Sequence, residues 1–277
     1  MSQVLSDLVN LLALEPIEEN LFRGASQDLG FRQLFGGQVL GQSLSAASQT
    51  VDEARHVHSL HGYFLRPGDA TKPAVYLVDR PRDGGSFCTR RVNAVQNGEV
   101  IFSMGASFQT AQDGIEHQDE MPTVVPPDDL DPDAENGLAQ FAEWDIRKVP
   151  RDKVIALPGV ASQQQVWFKH RDPLPDDPLL HICALAYMSD LTLLGSAQVN
   201  HPEERPHLMV ASLDHAMWFM RPFRTDEWLL YDQSSPSAGG GRALTQGKLF
   251  NQRGQMVAAV MQEGLTRYQR GYTPPGR

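Results

Sequence analysis

An internal repeat is the feature that most constrains how this 277-residue chain can fold. The segment YFLRP at 63–67 matches WFMRP at 218–222, an offset of 155 positions. At the same offset the glycine pair 84–85 falls on the glycine pair 239–240. The length is enough for about two domains, and each half carries the same motif, so we predict two copies of one folding unit in tandem.

Each half has the pattern of a helix followed by antiparallel strands. The turn-like pairs Asn97-Gly98 and Arg253-Gly254 separate strand-like sequence in both halves, which is typical of hairpins. The predicted strands are 87–95, 100–108, 243–250 and 256–261. Upstream lie a proline-free apolar helix at 36–48 and a second helix capped by Asp177 and Pro178. The pattern predicts an α+β fold in which each sheet wraps its helix and two sheet edges pair into one continuous sheet.

An acidic, proline-rich segment separates the repeats. Residues 113–135 hold nine acidic residues and four prolines, with no Lys or Arg. Removing those nine charges from the net charge of -10 leaves the rest of the chain near -1. We predict that this stretch is a solvated linker. The expected domains are therefore 1–112, a linker at 113–140, and 141–277.

Composition excludes several classes of protein. The pI near 5.3 gives no basic footprint for nucleic acid. Cys88 and Cys183 fit neither a disulfide framework nor a zinc cluster, and His56, His58 and His61 do not share one strand face. No run reaches the ~18 apolar residues of a membrane helix, and the N-terminus predicts an amphipathic docking helix instead of a secretion signal. We expect a cytoplasmic protein without a metal, a cofactor or a membrane anchor.

Two familiar catalytic patterns fail on physical grounds. Residues 36–43 have the spacing of a phosphate-binding loop, but Gln42 stands where the lysine would meet the phosphates. Ser212, Asp214 and His215 include the residue types of a serine hydrolase triad, yet a continuous strand would turn His215 away from the other two. Neither a nucleotide triphosphatase nor a serine hydrolase is predicted.

Three other polar residues stand out against apolar surroundings. Asp190 borders the apolar stripe of the second helix, where an unpartnered carboxylate would be costly. Ser212 and Gln262 interrupt otherwise apolar strands. Taken alone, each is better explained as a pleat residue that faces solvent, so the pattern by itself does not assign a site.

Longer motifs resemble the type II acyl-CoA thioesterase family. In the second half they are YMSD (187–190), SLDHAMWF (212–219), RPF (221–223) and QEG (262–264). In the first half they are FGGQ (35–38), HSLH (58–61) and YFLRPG (63–68). The resemblance implies a double hotdog fold, an acyl-CoA substrate, no cofactor, and a water molecule ordered by Asp190, Ser212 and Gln262.

The resemblance leads to a hypothesis for the reaction. Asp190 would accept a proton from water that Ser212 and Gln262 orient, and the thiol leaving group needs no strong acid. The helix start at Gly36 and Gly37 would offer N–H groups to substrate, with Gly37 as the expected contact. His58 is a weaker candidate for a catalytic role.

The repeat also predicts the number of sites. Shifting the three site positions back by 155 gives Phe35, Val57 and Ser107, which lack the carboxylate and the amide. We therefore expect one working site per chain. The near-neutral body also leaves arginines free to meet substrate phosphates. The candidates are Arg66, Arg90, Arg91, Arg221, Arg224 and Arg242.

Two other functions remain open at this point. A hotdog hydratase or dehydratase would need a His paired with an Asp or Glu, and no convincing pair is found in the sequence. A non-catalytic acyl-CoA binding protein would share the fold without the chemistry. In each case we expect a homo-oligomer, a dimer of the double unit or larger.

Overall fold

One antiparallel sheet curves around two central helices in the computed structural model, which describes residues 3–31, 33–132 and 138–272. The helices are α1 (Gln3–Leu12), α2 (Gly36–Ser48) and α3 (Pro178–Thr192). The strands of the first half are β1 (Glu15–Glu18), β2 (Leu21–Gly24), β3 (Arg55–Phe64), β4 (Ala74–Asp83), β5 (Phe87–Gln96) and β6 (Glu99–Thr110). Those of the second half are β7 (Trp144–Lys148), β8 (Gln163–His170), β9 (Leu208–Ser212), β10 (Asp214–Phe219), β11 (Leu229–Gly239), β12 (Arg242–Asn251) and β13 (Met256–Tyr268).

The two halves join through the repeated motif itself. The sheet order is β1-β2-β4-β5-β6-β3-β10-β13-β12-β11-β8-β7, with β9 beside β13. At the centre, β3 and β10 pair antiparallel, and His61 lies opposite Ala216, its own counterpart at the 155-residue offset. This register is the signature of two equal edges related by a twofold rotation. The predicted continuous sheet and the α+β class are confirmed.

The central helices lie antiparallel and pack closely through glycines. A Cβ on Gly37 would overlap the carbonyl oxygen of Tyr187, and one on Gly41 would come within 2.9 Å of the Cys183 carbonyl oxygen. The predicted helix bounds 36–48 are those observed. The predicted cap of α3 also forms, because the Asp177 side chain accepts a hydrogen bond of 2.9 Å from the Leu179 N–H.

The N-terminal helix docks onto this pair. Leu8, Leu11 and Leu12 of α1 are buried, as the amphipathic pattern predicts. The Leu11 carbonyl accepts a hydrogen bond of 2.6 Å from Gln42, the residue that replaces the phosphate-loop lysine. Ser45 donates to the Leu12 carbonyl at 2.9 Å. Gln42 therefore has a structural role in holding α1.

The prediction of a solvated linker at 113–135 holds for Ile115, which is exposed, and is wrong for the apolar residues from Met121 to Leu130. Leu130 is buried on the outer face of the second-half sheet, against a cluster that includes Trp167 and Trp228. The indole of Trp167 donates to the Val125 carbonyl at 2.9 Å. Prolines interrupt this segment, so its apolar residues follow no helix or strand period. The apolar residues nevertheless cover apolar surface of the sheet that would otherwise be exposed. Residues 133–137 lie outside the described residues.

One helical stretch, Pro178–Gln198, is long and apolar enough to cross a membrane by length and composition alone. It comprises α3 and the 3-10 helix Leu193–Gln198 that follows it. Within its apolar window, 72% is buried inside the protein. The burial accounts for its apolar character, because this is the central helix of the second half.

Candidate active site

Asp190, Ser212 and Gln262 come together at one point in the second half. The Gln262 amide nitrogen donates to Asp190 Oδ1 at 2.6 Å and to Ser212 Oγ at 2.8 Å. Ser212 Oγ donates to the same Oδ1 at 3.0 Å. The Asp190 side chain is 5% exposed and Gln262 is fully buried. The alternative that Ser212 and Gln262 are ordinary pleat residues facing solvent is therefore wrong.

Three elements position these side chains. Asp190 lies in the last turn of α3, Ser212 ends β9, and Gln262 projects inward from β13. Strand β9 pairs with β13 so that Ser212 lies opposite Gly264. The inward pleat of β13 alternates Val260, Gln262 and Gly264, all buried. The site therefore forms where the end of the central helix meets this face of the sheet.

The hydrogen bonds leave one carboxylate oxygen of Asp190 free for chemistry. Ser212 and Gln262 both donate to Oδ1. The amide of Gln262 is oriented with its nitrogen toward Oδ1, because the opposite orientation would place two acceptor oxygens against each other. Gln262 Oε1 is buried without a protein partner. Oδ2 faces the start of α2, where a Cβ on Gly36 would lie only 2.6 Å away. A glycine at this position keeps space open beside Oδ2.

His215 also lies at the site, and the prediction that it faces away is wrong. Its Nδ1 is 3.9 Å from Asp190 Oδ1, and its Nε2 is 2.9 Å from Ser189 Oγ. The strand is broken at Leu213, whose N–H bonds to the Glu263 carbonyl, so alternation restarts in β10. Alternation within β10 alone, where His215 and Met217 are buried, would have identified it.

We assign the His215 tautomer from the hydrogen bonds around Ser189. Its Oγ donates to the Ala186 carbonyl at 2.9 Å, and with the ring hydrogen placed on Nε2 it accepts from His215 at 2.9 Å. Nδ1 is left bare, buried and without a hydrogen-bond partner. Burial lowers the pKa of His215 to about 4, although the Asp190 charge opposes the shift. The ring is therefore neutral at pH 7.

We expect this buried neutral ring to make stability depend on pH. Since the unfolded ring titrates near ~6.5 and the folded one at about 4, the unfolded state binds more protons between these values. Stability that is present above pH ~6.5 is then lost as the pH falls toward 4, by about 3 kcal/mol from this residue. In chemical unfolding, His215→Gln should lose less stability over this window than wild type, whereas exposed His56→Gln should match wild type. Equal slopes for wild type and His215→Gln would contradict this account.

Two cavities meet at the site, and they share Gly36 and Ser212. The smaller, about 200 Å³, is walled by apolar side chains that include Phe64, Ile101 and Phe102. The larger, about 550 Å³, is lined by Asp190 and, at its rim, by the exposed side chains of Lys148 and Arg205. The site therefore lies between a mostly apolar chamber, which Arg66 paired with Glu99 also lines, and a chamber with two cations unpaired within the described residues, a division that suits a ligand with one apolar and one anionic end.

Two other predicted residues are placed differently. Gly37 packs against the backbone of α3 at Tyr187, and Gly36 is the glycine found in the cavity walls. His58 lies in the first half, where its Nε2 is 2.8 Å from Ser107 Oγ and its ring contacts Phe87. Neither His58 nor Gly37 lines these two cavities.

The arginines proposed for phosphates mostly have other partners. The pairs are Arg66 with Glu99, Arg90 with Asp83, Arg224 with Asp226, and Arg242 with Glu263. Arg90 is also buried, at 1% exposure. Arg221 donates to backbone carbonyls. Lys148 and Arg205, which carry the positive charge at the larger cavity, have no sequence pattern that distinguishes them from surface residues.

The structural repeat uses a different offset for each element. The helices begin at Gly36 and Pro178, 142 positions apart, because the loop after α3 is longer than the loop after α2. The offset of 155 therefore does not apply to Asp190, whose counterpart at the helix offset of 142 is Ser48. Ala216 lies opposite Met261, and its counterpart His61 lies opposite Gly105, so the offset on β13 is 156 and Gln262 corresponds to Ala106. The first half still lacks the carboxylate and the amide.

Comparisons with known proteins identify the fold class first. A solved structure from Alicyclobacillus acidocaldarius, described as a conserved protein of unknown function with a hot dog fold, matches with a TM-score of 0.79 at 19% identity, covering 95% of this chain and 98% of that one. Together with the two helix-in-sheet halves, this defines a double hotdog protein.

The family follows from closer relatives. The family model for acyl-CoA thioesterase matches residues 136–265, and that for the acyl-CoA thioesterase N-terminal domain matches 26–109. Acyl-CoA thioesterase 2 of Haemophilus influenzae is 40% identical over 97% of this chain and 99% of its own. The crystal structure of acyl-CoA thioesterase II TesB2 from Mycobacterium marinum is 70% identical, with a TM-score of 0.89 over 96% of this chain and 100% of that one. This chain belongs to the acyl-CoA thioesterase family.

Proposed function

We propose that this acyl-CoA thioesterase hydrolyses fatty acyl-CoA to free fatty acid and coenzyme A by direct attack of a water molecule that Asp190, Ser212 and Gln262 hold. The observation that carries the proposal is the arrangement of hydrogens around Asp190. Both donors point at Oδ1, so Oδ2 is left as the base beside the cavity. Gln262 is fully buried and lines neither cavity at the site, so its amide acts by fixing Oδ1 and the Ser212 hydroxyl.

The proposed reaction needs no covalent intermediate. Water attacks the thioester carbonyl as Asp190 Oδ2 takes its proton, and the carbon–sulfur bond breaks when the tetrahedral intermediate collapses. The thiolate leaves with a pKa near ~8.5 and then regains the proton from Asp190 or solvent. The N–H group of Gly36, in the first turn of α2 and in the wall of both cavities, has no intrahelical acceptor and can stabilise the oxyanion.

The two neutral members of the trio should matter less than the base. Ser212→Ala and Gln262→Ala should each lower kcat by about 10- to 100-fold, since each removes one contact that orients the water or the carboxylate. Ser212→Thr keeps the hydroxyl and should retain most activity. Steady-state release of free thiol, measured with a thiol reagent, gives these rates. Wild-type kcat in both alanine variants would exclude the trio.

We propose one site per chain, supplied with its base by the second unit (141–277) and with helix N–H donors by the first (1–112), with 113–140 as the join. This division rests on the counterparts of Asp190 and Gln262 in the first unit, which are Ser48 and Ala106 and supply neither a carboxylate nor an amide. A cytoplasmic homo-oligomer acting in fatty acid metabolism remains part of the same proposal.

Family membership favours hydrolysis over the two other functions. The hydratase or dehydratase alternative required a His paired with a carboxylate, and His215 does lie beside Asp190. Its Nδ1 lies 3.9 Å from Asp190 Oδ1, beyond hydrogen-bond distance, and its ring is neutral at pH 7, so the two do not form the acid–base pair that such an enzyme needs. Thiol release from a panel of acyl-CoAs separates hydrolysis from both alternatives, because a dehydratase or a binding protein would release none.

A further inference from the structure

Lys148 and Arg205 form a pair of like charges on the rim of the larger cavity. Lys148 ends β7, and Arg205 begins the 3-10 helix Arg205–His207. Desolvation lowers the pKa of Lys148, and the nearby positive charge of Arg205 lowers it further. Among residues 3–31, 33–132 and 138–272, no carboxylate forms an ion pair with either side chain. Two cations held together without a counter-charge repel each other unless an anion joins them.

The rest of the cavity wall carries little charge that could neutralise these two cations. Asp190 is the one acidic side chain that the described residues contribute to this cavity, and it is 5% exposed, whereas Lys148 and Arg205 are exposed. Gln164 and Gln198 line the same cavity and add neutral polar groups. A ligand that reaches Asp190 through this cavity therefore passes two cations at the entrance.

We propose that Lys148 and Arg205 bind the phosphate groups of the coenzyme A moiety. This inference rests on the proposed function, because it assigns the anionic end of that substrate to the basic rim. The thioester carbonyl then lies at Asp190, and the acyl chain extends toward the apolar cavity that shares Gly36 and Ser212. A guanidinium and an ammonium are the usual protein partners of phosphate oxygens.

The test compares substrates that share one acyl group and differ only in phosphates: acyl-CoA, acyl-3′-dephospho-CoA and acyl-pantetheine. The double variant Lys148→Ala/Arg205→Ala should lose about tenfold or more in kcat/KM for acyl-CoA, chiefly through KM. For acyl-pantetheine, which has no phosphate, it should match wild type. A smaller loss with the dephospho substrate would assign the 3′-phosphate to the pair, and an equal loss would assign the diphosphate.

A charge-matched control removes the effect of net charge. Lys153 and Arg253 are exposed and line neither cavity at the site, so Lys153→Ala/Arg253→Ala removes two positive charges elsewhere. That variant should keep at least half of the wild-type kcat/KM for acyl-CoA. Equal losses in the two double variants, or an equal loss with acyl-pantetheine, would overturn the inference while leaving hydrolysis intact.

Binding of free coenzyme A, followed by titration calorimetry, tests the inference without turnover. Wild type should bind, and Lys148→Ala/Arg205→Ala should bind at least about tenfold more weakly. Unchanged binding in the variant, or no binding to wild type, would contradict the assignment. Failure of the proposed function has a different signature, which is the absence of thiol release from every acyl thioester by wild type.

Discussion

Asp190→Asn should lower kcat by about 10³- to 10⁴-fold while the chain folds normally. The amide can still accept the hydrogen bonds of Gln262 and Ser212, but its NH₂ group replaces Oδ2 and cannot take a proton from water. The substitution also removes a buried negative charge, so thermal stability should be equal to that of wild type or higher. Thiol release measures the first effect, and thermal unfolding measures the second.

A matched control for this variant is Asp79→Asn, an exposed carboxylate in β4 of the first half. It should retain wild-type kcat, because it lies outside both cavities. Asp190→Asn with near-normal turnover would remove Asp190 from the mechanism and leave the trio a structural cluster.

Gly37→Ala should destabilise the fold strongly, with a free energy of unfolding lower by about 3 kcal/mol or more. The added methyl would overlap the Tyr187 carbonyl oxygen, and that backbone cannot move without separating the two central helices. Chemical denaturation measures the loss. Gly105→Ala is the matched control, since no atom lies within 4 Å of the added carbon, and it should change stability by less than about 1 kcal/mol.

At the neighbouring glycine, Gly36, substitution should impair catalysis more than stability. In Gly36→Ala the methyl would come within 2.6 Å of Asp190 Oδ2 and 2.9 Å of a Phe64 ring carbon, both of which are side-chain atoms that can shift. We expect kcat to fall at least about 100-fold with a smaller loss of stability than in Gly37→Ala. Stability losses of equal size in both variants would show that Gly36 has only a packing role.

The sequence predicts most of the fold because repetition and periodicity are local signals. The helix bounds 36–48, the cap at Asp177 and the four predicted strands all appear, although β13 runs on to Tyr268. The acidic segment was misjudged because its few apolar residues act through surface on distant strands, which no local pattern records.

The site was predictable only in part, for a related reason. Asp190 and Gln262 stand out as polar residues in apolar surroundings, and the family motifs connect them. His215 was missed because a strand break at Leu213 resets the alternation. Lys148 and Arg205 come from elements that are 57 positions apart in sequence, and only the folded chain brings them to one cavity.

The central claim is that water, held at Asp190, adds directly to the thioester. A single-turnover reaction in H₂¹⁸O, with enzyme in excess and the acid-quenched mixture analysed by mass spectrometry, tests it directly. We expect one ¹⁸O atom in the released fatty acid, an unmodified protein mass at every time point, and no ¹⁸O in the peptide that contains Asp190. A transient acyl adduct on the chain, or ¹⁸O in the Asp190 carboxylate, would contradict the claim and make this residue a nucleophile.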